Sequence, residues 1–72
     1  MSDPVDPLIQ KLIDLLDDEH PRTRRNAAGA LRLHGRRAIA AVPALEPLLR
    51  DRDPAVRGEA ERALSRLRAP AA

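Results

Sequence analysis

The chain has 72 residues, with 13 basic and 11 acidic side chains, a formal charge of +2, no cysteine and no aromatic residue. That length allows one small domain, and the composition excludes a disulfide framework, a thiolate metal site and base stacking on aromatic rings. No apolar run approaches the roughly 20 residues that span a bilayer, and the acidic, proline-bearing start Met1–Pro7 is wrong for a signal peptide, so a cytoplasmic location is expected.

In chain order, Asp6 is placed to cap a first helix with Pro7 at its first position. Leu8, Ile9, Leu12, Ile13, Leu15 and Leu16 then recur at helical spacing on one broad face, which predicts a helix over about residues 7–17. Pro21 cannot continue that helix but suits the start of a second, whose apolar stripe is Thr23, Ala27, Ala30, Leu31 and His34. Gly35 is placed to end it in a left-handed conformation. A third helix is expected from about Arg36 to Arg50, carrying Ala38, Ile39, Ala41, Val42, Leu45, Leu48 and Leu49. Pro43 and Pro47 fall inside it, so a kink or break is expected near residues 41–43. Asp53 caps a fourth helix that starts at Pro54 and turns Val56, Ala60, Ala63, Leu64 and Leu67 inward. The tail, residues 69–72, is expected to fray.

These elements repeat. Asp18-Glu19-His20-Pro21-Arg22-Thr23-Arg24 and Asp51-Arg52-Asp53-Pro54-Ala55-Val56-Arg57 share the pattern D-x-x-P-x-x-R, 33 residues apart. Leu12 aligns with Leu45, Leu15-Leu16 with Leu48-Leu49, Ala27 with Ala60, and Ala30-Leu31 with Ala63-Leu64. A period of this length marks a repeat architecture. The expected fold is all-α: two stacked helix-turn-helix repeats, about residues 5–35 and 36–68, forming four antiparallel helices in one domain.

Charge is unevenly placed. Residues 1–20 hold six acids and one base, whereas residues 21–50 hold seven arginines and one acid. The plain reading is solvated helix faces; the sharper one is a polar head-to-tail contact between copies.

The residues Ala41-Val42-Pro43-Ala44-Leu45, Leu48-Leu49, the D-x-x-P-x-x-R turn and Ala60, Ala63 and Leu64 resemble HEAT repeats, and among them the bacterial HEAT-like group that includes phycobilisome-lyase-type repeats. The resemblance spans about residues 7–67. It implies a short right-handed α-solenoid that scaffolds other proteins. It also implies a ladder in which Asp18 and Arg24 pair with each other or with Asp51 and Arg57. The second helices of such repeats usually line a concave face, and their ridge here is Arg25, Asn26, Gly29, Arg32, Leu33, Arg62 and Arg66, the candidate interaction surface. Where the family usually has Ile or Leu, this chain has His34, with Leu33 in a position usually polar.

No catalytic constellation is evident. His20 and His34 lie on separate elements without metal-ligand spacing, Ser2 and Ser65 lack a nucleophile-elbow context, and Gly29, Gly35 and Gly58 are isolated rather than part of a phosphate loop. No catalytic residue, metal or cofactor is expected. The thin aliphatic core, 17 large side chains without an aromatic, points to self-association, expected as a homodimer through an end face. The expected function is therefore a non-enzymatic protein-interaction or scaffolding module. The alternative is nucleic-acid or phosphate binding along the arginine-rich concave face.

Overall fold

A computed structural model describes residues 5–69. Four α-helices, Pro7–Leu15 (α1), Pro21–His34 (α2), Val42–Leu45 (α3) and Pro54–Leu67 (α4), are joined by two 3₁₀ segments, Gly35–Ala41 and Glu46–Arg50. Each α-helix carries proline within its first two positions, where the missing N–H costs no intrahelical bond. The side chain of Asp6 accepts from the amide of Leu8, as its position at the head of α1 predicts.

Helix α1 is shorter than expected. After Leu15 the amides of Leu16, Asp17 and Asp18 bond three residues back, to Ile13, Asp14 and Leu15, so the last turn tightens before the chain leaves the helix. The helix expected over residues 36–50 is interrupted, as its prolines predict, but more extensively than a single kink. It is two 3₁₀ stretches around one α-turn, and its sharpest departure is at Ala38 (φ −100°, ψ 21°), upstream of residues 41–43. The prolines explain the segmentation. Pro43 cannot donate to the Ile39 carbonyl, which takes the amide of Val42 instead, and Pro47 is the second residue of the second 3₁₀ stretch. Gly35 has positive φ as expected, but its ψ of −142° lies outside the left-handed helical basin, in a region open essentially to glycine.

Helix α2 packs against α4 in an inner layer. Helix α1 packs on α2, and residues 35–50 pack mainly on α4 to form the outer layer. Small side chains make the close approach possible: Ala27, Ala28, Ala38, Ala41, Ala60 and Ala63 are all buried around Leu31, Leu45, Val56 and Leu67. Ala28 falls outside the stripe expected for α2; it is buried because α2 is covered on two sides, by α1 and by α4. Conversely, of the six apolar residues expected on the first helix only Ile9, and Leu16 just past its end, are buried, and Leu8 is 52 % exposed. The expected inner face of α4 is buried throughout. Residues 70–72 of the tail lie outside the described residues.

Candidate interaction surface

The two turns are built alike. In each, an arginine one turn into the inner helix reaches back over the loop and donates Nη1 to two carbonyls. Arg24 reaches those of Asp18 (2.7 Å) and Glu19 (2.9 Å), and Arg57 those of Asp51 (2.7 Å) and Arg52 (3.3 Å). In each, the aspartate closes its own loop, Asp18 accepting the amide of His20 and Asp51 that of Asp53, both at 2.9 Å. The side chain of Asp53 also accepts from the amides of Ala55 and Val56, capping α4, whereas His20 gives α2 no such cap.

The turns are linked by one rung. Arg24 donates Nε and Nη2 to the two carboxylate oxygens of Asp51 at 2.8 and 3.0 Å, both side chains being about seven-eighths buried. This planar fork-to-fork pairing orients both groups as well as attracting them. The Arg24 guanidinium holds the Asp51 carboxyl below its usual range and is itself raised by the same hydrogen bonds. The Asp18 carboxylate is not bonded to Arg24; it faces His20, whose Nδ1 lies 3.0 Å away. The His20 backbone bond first, and its ring second, lower the Asp18 carboxyl.

Along the inner helices, Arg25, Asn26, Leu33, Arg62 and Arg66 are exposed, while Gly29 and Arg32 are half-buried. Leu33, at 76 %, is the most exposed of the large apolar residues. The residue that organises this ridge, Glu59, stands outside the candidate surface, although its i, i+3 spacing to Arg62 and its interruption of the arginine strip are visible in the sequence. Its Oε1 accepts from Arg62 Nε at 3.0 Å and stands 3.9 Å from Arg32 Nε. The other carboxylate oxygen lies where a Cβ on Gly29 would come within 2.8 Å, so glycine is what admits it. The 33-residue alignment carries a usable signal, since Glu59, three residues before Arg62, replaces the uncharged Asn26.

The outer layer is apolar at one end. Val5 and Leu8 are 39 % and 52 % exposed and Leu12 and Leu15 half-buried, while the residues 33 positions on, Ala38, Ala41, Leu45 and Leu48, are buried at 0–7 %. The opposite end is more polar. Glu46 and Glu61 stand at the positions of Ile13 and Ala28, and Glu46 pairs with Arg68 at 3.0 Å. Between α1 and residues 44–48 a cleft of about 390 Å³ runs over Ile13, Leu16 and Leu48, flanked by Asp14 and Asp17. Among the described residues no three His, Cys, Asp or Glu side chains group as metal ligands, and no helix is long and apolar enough to cross a membrane.

Comparison with curated proteins and with solved structures returns no match. A family model described as HEAT repeats matches residues 9–72. That match covers both turns, the buried alanines and the rung between Arg24 and Asp51; it does not separate out the phycobilisome-lyase-type group. Two helix-turn-helix units joined through their turns, with this match over nearly the whole length, mean that the chain belongs to the HEAT repeat family.

Proposed function

We propose that the chain is a non-enzymatic protein-binding module whose principal contact surface is the apolar end formed by α1, with the inner-helix ridge as a second, polar contact. HEAT repeats commonly act as scaffolds for protein interaction. The observation that carries the reading is the mismatch between equivalent positions: Leu8, Leu12 and Leu15 remain partly or largely accessible where their counterparts in the second repeat are covered. A solvent-facing helix surface of that composition favours burial by another protein surface.

Binding of nucleic acid has less support. Glu59 partly neutralises the strip where Arg32 and Arg62 meet, Arg37 lies 3.8 Å from Asp6, and Arg68 is engaged by Glu46. A photoreactive amino acid in place of Leu8 tests the proposal in cells. A discrete protein adduct that disappears with Leu12→Asp is expected. An adduct with nucleic acid at Arg25 or Arg62, with none to protein at position 8, would overturn it.

A further inference from the structure

The two outer faces of the described stack carry the two halves of the rung that joins its repeats. Inside the molecule, Arg24 uses Nη1 for the carbonyls of its own turn and Nε and Nη2 for the carboxylate of the next. Arg57 uses Nη1 in the same way, and among the described residues its Nε and Nη2 have no partner. Asp18 closes its own turn as Asp51 does, but no guanidinium bonds its carboxylate; its side chain is 33 % exposed against 12 % for Asp51. One end thus presents an open donor fork, and the other an open acceptor.

We infer that a second copy of this chain docks head to tail, its α1 end on the Glu46–Arg57 end of the first, with Arg57 of one copy pairing with Asp18 of the next. This rests on the protein-binding reading above and names the partner. The surrounding charges match in the same register. Within one chain, Asp17 and Pro47 line the same two clefts, and Ile13 and Ala44 line one of them. A shift of 33 residues sets Arg50 opposite Asp14, and Glu46 opposite Lys11, of the neighbouring copy. Leu49, 39 % exposed, then stands opposite Leu15, as Leu16 and Leu48 line one cleft inside the chain.

One residue opposes the contact. Glu61 occupies the position of Ala28, which is fully buried between the repeats. Desolvating a carboxylate there costs more than an alanine would, so the stack is weak and its strength is set by Glu61. Contact between unlike surfaces leaves a free surface at each end of a dimer, and assembly therefore continues beyond it, into a filament or a closed ring.

Sedimentation velocity on the full chain, from micromolar to millimolar and at low and high salt, tests the inference. The expected result is a mean mass that rises with concentration past the dimer and falls with salt. Asp18→Arg and Arg57→Asp each place like charges across the contact and weaken it by roughly tenfold or more. An equimolar mixture of the two variants regains association, because every junction then joins opposite charges. Glu61→Ala strengthens association. If circular dichroism shows Arg57→Asp unfolded, Glu61→Ala decides: tighter association supports the stack, and no change overturns it. A chain that stays monomeric to millimolar concentration overturns it, as does self-association indifferent to Arg57→Asp, which would mark a symmetric contact between α1 ends. A monomer that still gives adducts with other proteins at position 8 removes this inference and leaves the protein-binding reading standing.

Discussion

His20 occupies the N-cap of α2 without capping it, while Asp53, at the same place before α4, bonds the amides of Ala55 and Val56 at 2.8 and 3.1 Å. Transplanting a capping side chain by His20→Asn should therefore stabilise the protein. Asparagine suits the role better than aspartate, because it places no second negative charge two residues from Asp18. A side-chain cap contributes about 1 kcal/mol. The loss of the exposed His20 ring contact to Asp18 subtracts a smaller amount, so the net gain is roughly 0.5–1 kcal/mol. For a domain of this size that raises the melting temperature by about 2–8 °C. Without tryptophan or tyrosine, the assay is urea or thermal unfolding followed by circular dichroism at the helical band. Asp53→Ala is the reciprocal control and should lose about 1 kcal/mol. If Asp53→Ala destabilises as stated but His20→Asn lowers the melting temperature, the equivalence of the two turns is refuted.

Gly35→Ala should cost about 1–3 kcal/mol, because an alanine is forced into a backbone region that glycine alone adopts readily; urea midpoints measure it. Arg24→Gln should destabilise more than Arg57→Gln, since it removes the carboxylate rung as well as the carbonyl contacts, a ranking that equal urea midpoints would contradict. Both Asp18 and Asp51 hold their carboxyls below the usual 3.8 in the folded chain. The unfolded state therefore binds protons first on acidification. Their stabilisation is full above that ordinary value and is lost as pH falls through the lower folded values. Unfolding midpoints across an acid series should show the loss, and Asp51→Asn should flatten it.

The buried stripe of α4 was legible because its apolar residues keep a strict helical spacing and its cap and proline stand at the right places. Helix α1 has equally clear spacing, yet the exposure of Leu8 was not legible. Periodicity reports which residues share a face; it does not report whether a neighbour covers that face. Ala28 was missed for the complementary reason, since a small residue gives little amphipathic signal until a second helix lies against it. The duplicated turn made Arg24 and Asp51 candidates, but the identity of the partner carboxylate depends on how the repeats stack. For Glu59 the i, i+3 spacing to Arg62 was legible, but its approach to Arg32 and Gly29 on another helix depends on how the helices pack.

The segmentation of residues 35–50 has a mechanical consequence. The inner layer consists of two uninterrupted 14-residue helices, whereas the outer layer of the second repeat is a chain of short pieces, two of them 3₁₀. Protection against local opening grows with continuous hydrogen bonding and burial. The inner pair therefore forms a stiff spine, and the prolines turn the opposite side into a row of joints. Bending along the axis is expected to concentrate on that outer side and to leave the register of the inner helices undisturbed.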